Sequence, residues 1–388
     1  MTKPSESGKE ILLVVAGLKG AIGSTLAVAV QALHDDPGLI MPYLMTAHKL
    51  PLLGNSPRFQ IAGWDCRPGS IQEALTHHQV IDQRLWESYA EALAEIPVRT
   101  APDGATALQN QTRLLAGHIQ EFKAAYPQAL PVFVNLLPAG RCCDLASFAN
   151  IDELYAHRDP IDMPDLAYVI AAIEAGVPIV NFTPNEVEIP AVLHAAQAKG
   201  LPLAGRDGKT GQTYLKVVLA SALRARKLLV NGWYSLNILG NADGENLMAP
   251  ENAACKLTNK TSVLENTLGY QPGLKRYAQP SHTERIDYYA PRGDAKEAWD
   301  VIDIEGLFGL DMSLRLNLQG RDSILAAPLV LDLARWMSAM QMTGRSGPIA
   351  ELAFYFKTGI GAHTAETFED QLAVLKALEK SCNTMTAT

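Results

Sequence analysis

The sequence predicts an α/β protein, a doubly wound parallel sheet into which a second, differently built domain is inserted. Through about residue 227, short apolar runs alternate with helical stretches, as the βαβ units of a parallel sheet require. The first run, residues 11–16, enters a glycine-rich turn and then an apolar helical stretch. After about residue 228, the strand-like segments alternate apolar and polar residues and fewer helices separate them. That alternation is typical of half-buried strands, so we expect a mixed or antiparallel sheet there.

The order of the segments supports this architecture. In the first part, strands are predicted at 132–138, 177–184 and 201–205, and helices at 163–175, near Glu186 and at 213–227. In the second part, strands are predicted in LLVNGWYSLNILG, RIDYYAP, AWDVIDIEGLF and MSLRLNLQG. A long helical stretch, 324–341, follows, with Pro328 near its start.

Composition argues against several classes of partner. The 388 residues carry a formal net charge of −8, which disfavours nonspecific attraction to nucleic acid or anionic lipid. No stretch approaches the roughly 18 consecutive apolar residues that a membrane span needs. The N-terminal MTKPSESGKE lacks the apolar core of a secretory signal, so a cytoplasmic protein is expected. No cluster of carboxylates and histidines stands out as a metal site, and no metal is expected.

Three glycines follow the first strand where a dinucleotide-binding turn belongs. Gly17, Gly20 and Gly23 are spaced GxxGxxG, which departs from the usual GxGxxG because Lys19 stands where the second glycine would be. Glycine lets the backbone approach a pyrophosphate, and the helix N-terminus favours the anion. The turn therefore predicts a dinucleotide cofactor, with an ordinary tight turn as the alternative. We expect the Lys19 side chain to point to solvent or toward the phosphates.

An acidic residue that binds the adenosine ribose should end the second strand, about 20 residues further on. Residues 40–60 offer no good candidate. Asp65 ends the strand-like FQIAGWD after an apparent insertion and is the best one, although spacing alone leaves the assignment open.

Polar segments in the second half of the chain carry candidate chemistry. The loop 205–213, GRDGKTGQT, joins a strand to a helix at the sheet edge where open α/β folds bind ligands. Residues 235–250 are dense in Asn, Asp and Gly, and CKLTNK places Lys256 and Lys260 four apart, so that they share one face if the segment is helical. Two such ammonium groups could hold a phosphate and polarise an oxygen. Taken singly, these segments fit solvated turns and surface lysines equally well, as do the lysines of PRGDAKEAWD and FYFKTG.

Taken together, the motifs resemble the myo-inositol-1-phosphate (inositol-3-phosphate) synthase family. The matching motifs, in the family's order, are GxxGxxGST, GWD, GxDxKxGQT, SxNxLGNxDGxNL, CKLTNK, YxPxxDxK and DSxLAAPLxLDL, between about residues 11 and 360. The resemblance implies a Rossmann NAD-binding domain of residues 1–213 and 325–388. It also implies an α+β catalytic and tetramerisation domain of residues 214–324, and a homotetramer.

The resemblance implies a redox-neutral, NAD-dependent cyclisation of D-glucose 6-phosphate to myo-inositol phosphate. In this family, oxidation at C5 acidifies the C6 hydrogens, and the resulting enolate attacks the C1 aldehyde. Reduction of the C5 ketone then restores the oxidation state. Lysines suit this chemistry because it needs oxyanion stabilisation at two carbonyls and a phosphate clamp.

The resemblance also implies roles for individual residues. The implied roles are proton transfer at the C5 oxygen for Asp207 and Lys256, phosphate binding for Lys260 and Thr210, and stabilisation of the C1 oxygen for Lys296 and Lys357. Substrate, lysines and nicotinamide would be oriented by Asn237, Asp243 and Asp322. The implied NAD contacts are Gly17, Gly20, Ala21, Ile22, Gly23, Asp65, Asn110, Arg113, Asp207, Asn241, Asp243, Asp294, Asp322 and Ser323.

The chain departs from the family pattern near the sugar and cofactor sites. Ala21, Ile22 and Ala242 replace asparagines, Arg206 replaces an aspartate and Thr210 replaces a serine. Two alternatives therefore stay open: a related cyclase acting on another sugar phosphate, such as a ketose phosphate that gives a five-membered carbocycle, and a simple NAD-dependent dehydrogenase. A catalytically inactive relative is less consistent with the four retained lysines.

Overall fold

The computed structural model describes residues 8–157, 161–362 and 364–384, without the side chains of residues 253–261. The strands are β1 (Glu10–Ala16), β2 (Arg58–Asp65), β3 (Val98–Thr100), β4 (Leu130–Asn135), β5 (Ile179–Asn181), β6 (Pro202–Ala204), β7 (Leu229–Leu239), β8 (His282–Tyr288), β9 (Ala295–Glu305), β10 (Asp311–Arg321) and β11 (Gly347–Pro348). The α-helices are α1 (Ala21–Asp35), α2 (Ile71–His78), α3 (Ala90–Ala94), α4 (Leu108–Ala125), α5 (Ile151–Ala156), α6 (Asp165–Glu174), α7 (Pro190–Ala198), α8 (Gln212–Ala225), α9 (Ala242–Asn246), α10 (Pro250–Leu268), α11 (Leu274–Tyr277), α12 (Asp322–Met342) and α13 (Phe368–Thr384).

The larger sheet of the described residues has seven parallel strands in the order β11–β6–β5–β4–β1–β2–β3. Residues 11–16 of β1 are fully buried, which explains why this strand is a continuous apolar run. The strand order reverses between β1 and β4, and open α/β sheets bind ligands beyond the carboxyl ends of strands at such a point. The predicted doubly wound parallel sheet is confirmed, and the glycine turn lies at its switch point.

Helix α12 is the central helix of this domain and packs against β1, β4, β5 and β6. Among the described residues it is the helix whose length and apolar composition would suffice to span a membrane, yet 78% of that stretch is buried inside the protein. Burial in a core accounts for its apolar sequence.

The smaller sheet has the order β10–β9–β7–β8, with β7 parallel to β8 and antiparallel to β9. Its inner face carries Trp233, Ser235 and Asn237, all buried, whereas Tyr234 and Trp299 on the opposite face are exposed. The predicted mixed sheet is confirmed. It is built from residues 229–321, inside the segment predicted as the inserted domain, and the exact division of the chain into domains stays a prediction.

The helix expected near Glu186 begins later, at Pro190. Residues 183–189 remain a loop after β5 because the Asn185 side chain donates a hydrogen bond to the buried Asp165 carboxylate at 2.9 Å. Pro190 lies in the first helical turn, where its missing N–H has no intrahelical partner to lose.

The apparent insertion between β1 and Asp65 is a segment of short 3₁₀ turns after α1. It is anchored to α12 through Asp332, whose carboxylate accepts hydrogen bonds from the backbone N–H groups of Met45 at 2.9 Å and Thr46 at 2.8 Å. Burial raises the pKa of Asp332 to about 6. The insertion lengthens the connection before β2 without changing the order of the strands.

Candidate active site

The carboxyl edge of the large sheet is where loops from both sheets meet. Parallel strands place loops 17–20, 136–150 and 205–211 along this edge. Asn246 of α9, which follows β7 of the small sheet, donates a hydrogen bond to the Ala139 carbonyl at 2.9 Å. Residues from both sheets can therefore contribute to one site.

The glycine turn is shaped by close backbone contacts. Gly17 has φ +86°, a conformation that favours glycine, and its N–H donates to the Trp64 carbonyl at 2.9 Å. A Cβ on Gly23 would lie 2.5 Å from the carbonyl oxygens of both Gly17 and Leu18. Gly23 is therefore required by the contact between the turn and α1.

The N-terminus of α1 is suited to an anion. Its N-cap, Gly20, has no side chain to satisfy the first helical N–H groups, which lack intrahelical acceptors. The hydroxyls of Ser24 and Thr25 donate back to the carbonyls of Gly20 and Ala21, at 2.8 and 2.7 Å. Ala21 and Ile22 are half-buried, so this helix end presents mainly backbone N–H groups.

Asp65 fixes the glycine turn to the end of β2. Its carboxylate accepts the N–H of Lys19 at 2.7 Å and that of Arg67 at 2.8 Å. Lys19 is only 9% exposed, and its Nζ donates to the Arg67 carbonyl at 2.6 Å. The expectation that Lys19 points to solvent or to the phosphates is wrong, because its ammonium group is buried and binds the Arg67 carbonyl.

Asn110 and Arg113 lie on exposed positions of α4, which follows β3 at the same sheet edge. Asn110 is in the first turn of the helix and Arg113 is one turn further on. The described contacts do not join either residue to the glycine turn.

Asp207 and Lys357 form a buried ion pair, in which Lys357 Nζ donates to Asp207 Oδ1 at 2.6 Å. The backbone N–H of Lys357 also donates to the Asp207 carbonyl, at 2.7 Å. Asp207 has φ +61°, and its Oδ2 is buried without a hydrogen-bond partner among the described residues. The pair thus offers an ammonium group and an open carboxylate oxygen side by side.

A second pair joins the same loop to the small sheet. Lys296 Nζ donates to Asp322 Oδ2 at 3.0 Å, and the Thr210 hydroxyl donates to Asp322 Oδ1 at 3.0 Å. Asp322 is the first residue of α12, where a negative charge is favoured by the helix dipole. The Asp322 side chain is 33% exposed, so the Lys296–Asp322 pair is more accessible to solvent than the Lys357–Asp207 pair.

Asp294 adds a buried carboxylate beside the second pair. Its Oδ1 accepts hydrogen bonds from Asn241 Nδ2 at 3.2 Å and from the Ser323 hydroxyl at 3.3 Å. Its Oδ2 is buried without a described partner. Burial, followed by repulsion from Asp322, raises the pKa of Asp294 to about 6, so the group can exchange a proton near neutral pH.

Asn237 is an amide with nothing to bind among the described residues. It is fully buried on β7, between Ile286 of β8 and Ala298 of β9, and neither its amide nitrogen nor its oxygen has a partner there. A buried unpaired amide is costly and points to a missing partner. Asp243 is half-buried in the first turn of α9.

Lys256 and Lys260 lie on α10, so the segment is helical. Their spacing of four residues places them on one face of it. The positions of their side chains lie outside the described residues.

Arg206, which departs from the family pattern, is held by two glutamates. Its Nη1 lies 2.6 Å from Glu188 Oε1 and 3.1 Å from Glu186 Oε1. Its charge is therefore compensated within the large domain.

Sequence reasoning missed two buried lysines near this site. Lys209 of loop 205–211 and Lys216 of α8 are 4% and 3% exposed, and burial lowers the pKa of each to about 7. The motif GKTGQT marks the first position, but nothing in the local sequence shows that distant segments cover it.

The chain is similar to known proteins in sequence and in fold. The family model described as myo-inositol-1-phosphate synthase matches residues 211–323. Inositol-3-phosphate synthase 1 of Bacteroides thetaiotaomicron is 33% identical over 321 residues, which are 76% of this chain and 74% of that protein. Inositol-3-phosphate synthase of Spirodela polyrhiza is 30% identical, and the match covers 73% of this chain but 60% of that enzyme. The crystal structure of inositol-3-phosphate synthase from Caenorhabditis elegans superposes with a TM-score of 0.81 at 19% identity, covering 97% of this chain and 86% of that one.

Proposed function

The chain belongs to the inositol-3-phosphate synthase family of isomerases, and we propose that it cyclises D-glucose 6-phosphate to a myo-inositol phosphate with catalytic NAD. The observation that carries this proposal is the convergence of two lysine–aspartate pairs, Lys357–Asp207 and Lys296–Asp322, at the sheet edge that also holds the glycine turn. A dehydrogenase would need the turn but not two positioned ammonium groups.

The residues at the β1–α1 turn fit a dinucleotide. The uncapped N-terminus of α1 offers N–H groups to a pyrophosphate. Asp65 ends β2, the usual place of a ribose-binding carboxylate, and each of its oxygens has a second lone pair beyond the backbone bond that it accepts. When bound, NAD would supply the hydride acceptor and donor that the redox-neutral cycle needs.

Proton transfer at the C5 oxygen is assigned to Asp207 with Lys256. The open Oδ2 of Asp207 would accept the C5 hydroxyl proton, while Lys357 holds the carboxylate in place through Oδ1. The same proton returns when the C5 ketone is reduced, so Asp207 ends the cycle as it began.

Ring closure is assigned to the lysines. Loss of a C6 proton gives an enolate, its carbon forms the bond to C1, and the C1 carbonyl oxygen becomes an alkoxide that takes up a proton. Lys296 and Lys357 would face this oxygen, and their carboxylate partners hold the two ammonium groups in place before reaction. Asn237, Asp243 and Asp294 would orient substrate and nicotinamide.

Phosphate binding is assigned to Thr210 and Lys260. Thr210 lies directly before α8, and the N-cap of that helix, Gly211, leaves its first N–H groups without a side-chain partner. A phosphate there would meet backbone donors, and the Thr210 hydroxyl would turn its proton from Asp322 to the phosphate.

A homotetramer is also part of the proposal, with β10 as one contact to a second copy. Strand β10 is an edge of the small sheet, so one side of its backbone is free to pair. The apolar side chains around its start are exposed: Leu307, Phe308, Leu310 and Met312, with Phe308 at 87%. Light scattering of the purified chain should give four subunits, and Phe308→Asp should reduce that number; a monomeric wild type would contradict this part.

The substrate is tested by product NMR on a panel of hexose, pentose and ketose phosphates with NAD. We expect an inositol phosphate from D-glucose 6-phosphate. A five-membered carbocycle from a ketose phosphate would support the proposed cyclase activity but change the proposed substrate. Formation of an open-chain oxidised sugar alone would contradict the proposed function.

A further inference from the structure

Lys209 lies inside the loop that carries both Asp207 and Thr210. Its Nζ donates to Gln371 Oε1 at 2.6 Å and to the Ala353 carbonyl at 3.4 Å. Its backbone N–H donates to the Tyr355 carbonyl at 2.8 Å. One residue therefore connects loop 205–211 to two distant segments of the chain.

The amine is buried without a counter-charge. Both acceptors of its Nζ are neutral, and no carboxylate of the described part of the chain lies within ion-pair distance of it. Burying an amine in this way is unfavourable, and an apolar side chain of similar length would pack with less penalty. What Lys209 provides, and an apolar residue does not, is a pair of directed hydrogen bonds.

Those bonds lead to the catalytic lysine. Ala353 and Tyr355 belong to the 3₁₀ turn Ala350–Tyr355, which precedes Lys357 by two residues. Gln371 lies in the first turn of α13, and its Nε2 donates to the Ala365 carbonyl at 3.0 Å. The turn before Lys357 and the start of α13 are thus held against the loop that carries its partner, Asp207.

We propose that Lys209 is a positioning residue, which fixes loop 205–211 so that Asp207 meets Lys357 and Thr210 meets Asp322. It acts through these residues and touches no substrate. The inference rests on the proposed function only for its effect on turnover, since the order of the loop can be measured without a reaction.

Lys216 provides a matched control. It is equally buried, but it pairs with the Glu284 carboxylate, and its Nζ lies 3.3 Å from His282 Nε2. Removing Lys216 leaves a buried carboxylate uncompensated, whereas removing Lys209 leaves only neutral groups behind. Unpaired neutral acceptors cost less than a buried uncompensated carboxylate, so a smaller loss of stability is expected on removing Lys209 than on removing Lys216.

The test uses the full chain with Lys209→Met, Gln371→Glu and Lys216→Met. Lys209→Met should lower the thermal midpoint much less than Lys216→Met, speed hydrogen exchange of peptide 205–211, and lower kcat by about tenfold to a hundredfold. Gln371→Glu keeps an acceptor for Lys209. This variant should retain activity, and the hydrogen exchange of peptide 205–211 should stay as slow as in the wild type. Lys216→Met should lower the midpoint.

Unchanged exchange of the loop in Lys209→Met would overturn the inference, as would a midpoint that falls as far as in Lys216→Met. A wild type that cyclises no sugar phosphate would overturn the proposed function alone. In that case faster loop exchange in Lys209→Met, with a midpoint well above that of Lys216→Met, would still support the positioning role.

Discussion

The two sides of the candidate site, at the glycine turn and at the ion pairs, consist of different kinds of chemical group. The side proposed to bind the cofactor consists of backbone: Gly17, Gly20, Gly23 and the first N–H groups of α1. The side proposed to bind the substrate consists of charged side chains in ion pairs, Lys357 with Asp207 and Lys296 with Asp322. A backbone site depends on the absence of side chains, whereas an ion-paired site depends on their identity.

This difference bears on which departures from the family pattern each side can accept. Ala21 and Ile22 replace asparagines at the helix start, and the N–H groups there do not depend on the side chain. On the side proposed to bind the substrate, Arg206 and Thr210 also depart from the family pattern, whereas the members of the two ion pairs match it. Substitutions at the glycine turn should therefore impair binding through steric overlap. Substitutions in the ion pairs should impair turnover through loss of charge.

The largest effect is expected from Gly23→Val. A Cβ there would lie 2.5 Å from two carbonyl oxygens, so the turn and α1 must separate and NAD binding should be lost. Calorimetric titration of NAD into the folded variant measures this. Gly117→Ala is the control, because a Cβ on Gly117 meets nothing within 4 Å and the helix gains about 1 kcal/mol. Unchanged NAD affinity in Gly23→Val would contradict the proposal that NAD binds at this turn.

Lys357→Met should affect both chemistry and stability. Loss of the ammonium group should lower turnover by about a hundredfold or more, as for other oxyanion donors. It should also lower the free energy of unfolding by about 3–5 kcal/mol, because Asp207 stays buried without its charge partner. Adding Asp207→Asn should recover much of the stability, measured by urea unfolding, but no activity. Full activity of Lys357→Met would argue against its role at the C1 oxygen.

Lys296→Met should separate the two effects. Turnover should again fall by about a hundredfold, since the same oxygen loses a donor. Stability should change by only about 0–1 kcal/mol, because Asp322 is 33% exposed and water can replace the lysine. Turnover and urea unfolding are measured as for Lys357→Met. An equal loss of stability in both variants would show that the buried and the solvent-exposed ion pair contribute equally to stability.

The smallest effect is a pH dependence at Asp294. Its folded-state pKa of about 6 lies above the unfolded value, so ionisation at neutral pH opposes folding, and this penalty disappears as the pH falls. Asp294→Asn removes the titration. The stability of the variant relative to wild type should therefore fall by about 2–3 kcal/mol between pH 7 and about pH 4. A difference that does not change with pH would show that Asp294 keeps an ordinary pKa.

The sequence predicted what local patterns control. Apolar runs and glycines located β1, the turn and the parallel sheet, and alternation located the small sheet. The burial of Lys19 was missed because the carbonyl of Arg67 that captures it belongs to the loop after another strand. Lys209 was likewise missed as a buried group, because its cover comes from Gln371, far away in the chain. The helix start at Pro190 depends on Asn185 and Asp165, a contact that spacing does not reveal.

The central claim is that oxidation and reduction cancel within one turnover. The most direct measurement supplies D-glucose 6-phosphate with NAD at a small fraction of its concentration, and follows the carbocycle by NMR and NADH by absorbance. The account predicts conversion of all the sugar phosphate to an inositol phosphate without accumulation of NADH. Conversion that stops when the NAD is consumed, with an equal amount of NADH formed, would contradict it.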